Sequence, residues 1–251
     1  MIQVDKTRPT VTISQTTDTT WKKSRDVTVK IKDNISGLPT SNKIYYSWST
    51  SNTSPGNWQS ITISGAALKD NYGDTSELSG TIHGADFSGK YYLWIKDATI
   101  EDIAGWTSSG ANGNAGDYVT GPYYFDNTPP SVPSVSFTNT EGVYTPGNWS
   151  KSNVKTVPSG STDNGDGTEG VGGIYYEYTT TGKTRNDTDK KATSRQINAE
   201  GNSTIKWRAC DSLKNCSDYT QNYVVNVDKT KPECTMKITG TIKDNNWYVT
   251  D

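Results

Sequence analysis

Val4-Asp5-Lys6-Thr7-Arg8-Pro9, Phe125-Asp126-Asn127-Thr128-Pro129-Pro130 and Val227-Asp228-Lys229-Thr230-Lys231-Pro232 are three copies of one short joint. In each, an apolar strand residue precedes a polar turn and a proline, so a strand ends, a backbone amide is lost and a new extended segment begins at fixed φ. Pro9, Pro130 and Pro232 stand 121 and 102 residues apart. Those intervals fit one β-sandwich each and exceed the period of a solenoid repeat. The joints therefore predict a sandwich over 1–127, a second over 128–228, and the start of an incomplete third over 229–251.

The composition fits that reading and narrows the partners. Lys and Arg number 25 against 27 Asp and Glu, and no basic run is interleaved with aromatics, which argues against a nucleic-acid partner. Hydrophobic residues make up only 31%, but 8 Trp and 15 Tyr bury large areas each, so small two-sheet cores are feasible. Alanine and leucine are sparse beside Thr, Ser, Asn, Tyr, Val and Ile, and no long window carries apolar residues at helical spacing. The chain is predicted to be all-β. It has no apolar run of membrane-spanning length, and Met1-Ile2-Gln3-Val4-Asp5 lacks the charged start and apolar core of an export signal.

Strand patterns follow each joint in the same order. In the first module Thr10–Ile13 and Asp26–Lys32 alternate with Val27, Val29 and Ile31 expected inside. The turn Asp33-Asn34-Ile35-Ser36-Gly37-Leu38-Pro39 leads into Ile44-Tyr45-Tyr46-Ser47-Trp48, whose Ile44, Tyr46 and Trp48 share the core face. Further strands are read at Trp58–Ile63, Leu78–Ile82 and Tyr91–Lys96, the last with Tyr91, Leu93 and Ile95 inward and Tyr92 and Trp94 outward. A Gly-rich connection from Asp97 to Gly121 precedes the closing strand Pro122–Phe125. In the second module, Trp149–Ser152 answers Trp21–Ser24, Gly173–Tyr178 answers the Ile44 strand, and Ser203–Cys210 answers the Tyr91 strand with Ile205, Trp207 and Ala209 inward. Tyr223–Val227 closes it. Glu233–Asp251 is too short to bury a core by itself.

The Asp-Lys-Thr-x-Pro joints, the Asp33-Asn34-x-Ser36-Gly37-Leu38 turn and Cys210-Asp211-Ser212-Leu213-Lys214-Asn215-Cys216-Ser217 together resemble bacterial immunoglobulin-like repeats. The resemblance covers nearly the whole chain. It implies tandem immunoglobulin-like β-sandwiches in a secreted or cell-surface protein, and because every motif in it is structural, it implies fold and setting rather than a ligand. The second module departs from the pattern by an insertion at Gly165–Val171, the first by lacking hairpin cysteines.

Few residues offer chemistry. Cys210 and Cys216 flank a five-residue turn between antiparallel strands, which allows a disulfide, with free thiols or metal ligation as alternatives. The exported setting implied by the resemblance favours the bridge. In the resembling repeats a cysteine at the start of a module pairs within it, so Cys234 is left over, with an intermolecular or reactive role as the sharper alternative. His83, the single histidine, stands beside Gly84 without a nucleophile signature and reads as a surface turn residue. Gly165-Asp166-Gly167-Thr168-Glu169-Gly170 matches a dinucleotide fingerprint in letters alone, since no helix follows and its acids would repel phosphate. Asp163, Asn164, Asp166 and Glu169 could offer oxygens to calcium, against the plainer reading of a solvated loop. Tyr45, Tyr92, Trp94 and Tyr175 could stack a sugar, against the reading that they cover one another or lie under loops. Glu101 and Asp102 are adjacent and show no pairing across a cleft. The sequons at Asn52, Asn148, Asn186, Asn202 and Asn215 are frequent by chance in such a composition.

The expectation is a non-enzymatic spacer or adhesion segment without a cofactor, whose partners are neighbouring domains of the same array and a glycan or host surface protein. A carbohydrate-binding module and an accessory domain of an exported hydrolase are the rival readings.

Overall fold

A computed structural model describes residues 2, 4–14, 17–65, 76–108, 116–163, 173–237, 239–243 and 247–249. The chain is all-β and forms two compact units. The first comprises Met1–Pro133 with Gly160–Glu177 and Arg208–Tyr219; the second comprises Ser134–Ser159, Tyr178–Trp207 and Thr220–Asp251.

The strands of the first unit up to Phe125 are β1 (Thr10–Ile13), β2 (Asp18–Lys22), β3 (Ser24–Asp33), β4 (Ser41–Ser49), β5 (Gln59–Ser64), β6 (Ser76–Ala85), β7 (Gly89–Ile95) and β8 (Tyr118–Phe125). They make one sheet of order β1-β3-β6 and a second of order β2-β8-β7-β4-β5. The period-two alternation of β3 puts Val27, Val29 and Ile31 inside with no exposure, while Arg25 and Asp33 close the two ends of the same face. Ile44, Leu93 and Ile95 come inward from the other sheet, and Tyr46, Trp48 and Tyr91 pack against that core from its margin. Burying a side chain of this size contributes about 2 kcal/mol. The β2–β8 pairing is parallel, which ties the start of the module to its end.

From Ser134 the strands are β9 (Ser134–Asn139), β10 (Gly142–Val143), β11 (Trp149–Ser150), β12 (Val154–Ser159), β13 (Tyr175–Gly182), β14 (Asp187–Lys191), β15 (Arg195–Ile197), β16 (Gly201–Cys210) and β17 (Tyr223–Val227). Their sheets run β10-β9-β12-β15 and β11-β17-β16-β13-β14. With β9 in the place of β1, β11 of β2 and so on to β17 for β8, the order of the first module is repeated, including the parallel closing pair β11–β17. In the second unit Val154, Ile197, Ile205, Trp207, Val225 and Val227 have no exposure. Trp207 stacks obliquely on Tyr178 at 5.2 Å and donates its Nε1–H to Thr156 Oγ1, so the largest side chain of that core keeps its polar atom satisfied. β18 (Thr241–Lys243) and β19 (Trp247–Val249) pair with each other as a hairpin.

One expectation changes. His83 is a strand residue of β6 rather than a turn residue, opposite Asp26 in register and hydrogen-bonded to its Oδ1 at 2.6 Å. The loop residues Asn164, Asp166 and Glu169, with the insertion 165–171, lie outside the described residues.

Candidate functional site

The three joints are built alike. Thr7 N donates to Asp5 Oδ1 at 2.7 Å, Thr128 N to Asp126 Oδ1 at 3.0 Å and Thr230 N to Asp228 Oδ1 at 3.0 Å. The aspartate thus turns each joint by its own side chain before the proline fixes the next residue. The second and third joints are also pinned to segments beside the strands they leave. Asp126 N donates to Lys22 O at 3.1 Å, Asn127 Nδ2 to Phe87 O at 2.7 Å, and Asp228 N to Ser150 O at 2.9 Å.

At the first joint Asp5 meets two other carboxylates. Asp33 ends β3 and Asp102 lies in the loop between β7 and β8, and one carboxylate oxygen of each of the three lies within 4.8 Å of the others. Asp33 is 1% exposed and Asp102 3%. Asp33 Oδ2 accepts from Ile35 N at 3.0 Å and Gly37 N at 2.7 Å, a turn that Gly37 permits by its φ of 85°. Asp102 Oδ1 accepts from Trp106 N at 2.8 Å. The other oxygens, Asp33 Oδ1 and Asp102 Oδ2, are buried with no hydrogen-bond partner. Burial raises the Asp102 pKa, the Trp106 amide offsets part of the rise, and the charges of Asp33 and Asp5 push it up further. Asp5 is more open. There burial is outweighed by hydrogen bonds from Thr7 and Ser36, and its pKa is lowered. The sequence showed no pairing of Glu101 and Asp102 across a cleft; in the fold the described residues 97–108 bring Asp102 to Asp33 and Asp5 instead.

The arrangement recurs at the second joint. Asp126, Asp163 and Asp211 each bring one carboxylate oxygen within 4.8 Å of the others. Asn215 N donates to Asp211 Oδ1 at 2.8 Å, as Trp106 N does to Asp102. Asn215 Nδ2 donates to Asp126 O at 3.0 Å, as Trp106 Nε1 does to Asp5 O at 3.0 Å. Of the calcium candidates read in the sequence, Asp163 is therefore brought to other carboxylates. Asp5, Asp33, Asp102, Asp126 and Asp211 were missed. Aligning the two modules at their joints would have marked them as recurrent aspartates without showing that they meet, because the aspartate of the joint, the one ending β3 or following β12, and the one after β7 or β16 fall in corresponding places.

Of the aromatic candidates one is buried and three are half-buried. Trp94, expected to face outward, is only 5% exposed, its Nε1–H donated to Ser51 O at 3.2 Å. Tyr45, Tyr92 and Tyr175 are half-buried. Lys96 Nζ lies over the rings of both Tyr45 and Trp58, and Lys90 Nζ over Tyr92. Cys210 and Cys216 are disulfide-bonded, with Cα atoms 4.1 Å apart across a hairpin bridge. Cys234 is exposed as a free thiol.

No protein-family model matches the chain, and no curated protein does. Among solved structures it is similar to the fibronectin(III)-like modules of Clostridium thermocellum CbhA. That match covers 90% of this chain and 100% of the other at 14% identity and a TM-score of 0.31.

Proposed function

We propose that this chain is a non-enzymatic spacer and adhesion segment of a bacterial secreted or cell-surface protein, in which each sandwich supplies length and each joint supplies a defined connection. The observation that carries the reading is the repetition of one eight-position strand order across two modules, linked through joints in which the threonine N–H donates to the aspartate carboxylate in the same way. A sequence under selection for a single pocket has no need to repeat a whole sandwich and its linker, whereas one selected for reach does. The Cys210–Cys216 bridge supports an oxidising location. The proposed partners are neighbouring domains of the same array, with a glycan or surface protein as the adhesive target.

Pulling the chain by its ends in an optical trap tests the spacer role. Two separate unfolding events are expected, releasing roughly 400 Å and 350 Å of chain at about 3.5 Å per residue. A single event would make the two sandwiches one mechanical body. Micromolar binding on a glycan array that is lost in Tyr45→Ala or Tyr92→Ala would replace the spacer reading by carbohydrate recognition.

A further inference from the structure

We propose that Asp5, Asp33 and Asp102 form a binding site for a large divalent cation of the calcium type, which fastens the incoming joint to the first sandwich. The proposal stands on the carboxylate geometry and is independent of the spacer reading.

Three segments distant in sequence converge here: the joint, the end of β3 and the loop before β8. Acidic clusters on a surface are common without an ion, but this one is walled in. Asp33 and Asp102 are buried, each with one oxygen held by backbone amides and the other, Asp33 Oδ1 or Asp102 Oδ2, left without a hydrogen-bond partner. Among the described residues no lysine, arginine or histidine forms an ion pair with any of the three. The guanidinium of Arg8 is committed elsewhere, to Thr107 O at 2.8 Å and to the face of Trp106. A buried carboxylate oxygen without a donor is costly, and two facing a third carboxylate more so, unless a cation completes the set.

Coordination selects the cation. Calcium takes about six to eight oxygens in flexible geometry, while magnesium demands a near-ideal octahedron and prefers to keep its own waters. Three carboxylates close enough to share one ion, two of them buried, offer protein oxygens where magnesium would keep water, which favours the larger ion. The backbone amides already on Asp33 and Asp102 orient the carboxylates in advance, as supporting hydrogen bonds do around metal ligands. The recurrence of three aspartates and of the side-chain N–H bond to the joint carbonyl at Asp126, Asp163, Asp211 and Asn215 shows that the geometry belongs to the repeat and is not an accident of one loop.

Trp106 provides the readout. Its indole nitrogen is 3.0 Å from the carbonyl oxygen of Asp5, so terbium(III) bound by the trio would be excited through that ring. The full oxidised chain, stripped with a chelator, is expected to give tryptophan-sensitised terbium emission that calcium displaces at about 0.1–1 mM, the range of extracellular calcium modules. Asp33→Asn and Asp102→Asn should each weaken calcium competition at least tenfold with an unchanged far-ultraviolet circular dichroism spectrum. Trp106→Phe should remove the emission while calcium still raises the melting temperature, and Glu77→Gln should change neither. The proposal falls if the unsubstituted chain shows no calcium-displaced emission and no change in melting at about 10 mM calcium, a result that needs no variant to fold. Displacement by magnesium at the same concentration as calcium would overturn the assignment to a large cation.

Discussion

Arg25 carries a full charge beneath the aromatic end of the first sandwich. Its side chain is 2% exposed, its guanidinium sits 5.7 Å from the ring centres of Tyr123 and Phe125, and it pairs with Asp18. Burial by itself would raise the Asp18 pKa, but hydrogen bonds from Thr20, Lys22 and Arg25 outweigh it and hold the carboxyl well below 3.8. A depressed carboxylate pKa means that the folded state binds this proton less readily than the unfolded one. Its contribution is therefore complete above the unfolded value near 3.8 and is lost as pH falls below it. Arg25→Ala leaves a largely buried Asp18 with Lys22 as its remaining cation and should cost about 3 kcal/mol in urea unfolding. It should also flatten the loss of stability between about pH 5 and pH 2. An unchanged acid profile would show that Asp18 titrates normally.

At the scale of the element, the hairpin after β16 is held by more than its sulfurs. Asp211 Oδ1 accepts from Asn215 N, Ala209 N donates to Ser217 Oγ at 3.1 Å, and Ser217 N donates to Ala209 O at 2.8 Å. The bridge closes a loop with a sequence separation of six, for which chain entropy predicts about 2 kcal/mol. Reduction should thus lower the melting temperature by a few degrees without unfolding either sandwich. Peptide mapping of the oxidised protein should show Cys210 linked to Cys216 and Cys234 free; a Cys210–Cys234 peptide would overturn the third joint as a boundary. β18 and β19 pair only with each other among the described residues. Deleting 233–251 should accordingly leave the melting of both sandwiches unchanged, and destabilisation of the second on deletion would make that hairpin part of it.

At the scale of the whole molecule, no strand up to Phe125 pairs with a strand beyond Ser134 among the described residues. Separate expression of 3–127 and 128–228 should therefore yield two soluble β-rich proteins with cooperative unfolding. The residues 160–177 and 208–219, which cluster with the first unit, mark where this prediction is most exposed. If both fragments are insoluble, the sandwiches share a core.

Val27, Val29, Ile31, Ile44, Leu93 and Trp207 were assigned to the interior by local alternation, and all are buried without exposure, because a pleated strand between two layers has one inward face and its period can be read from neighbours two residues apart. The joints were legible for a similar reason: an aspartate, a threonine two residues later and a proline act on their own backbone. What the sequence determined was whatever is decided within one strand or one turn. His83 was misplaced because a strand end depends on its partner, here Asp26, rather than on the adjacent glycine. Trp94 was expected to face outward and is buried, its indole donating to Ser51 O from a loop that comes from another part of the chain. The meeting of Asp5, Asp33 and Asp102 belongs to the tertiary structure alone. Long-range convergence leaves no periodic trace, and three single aspartates have a meaning only once the sheets bring their loops to the same end of the sandwich.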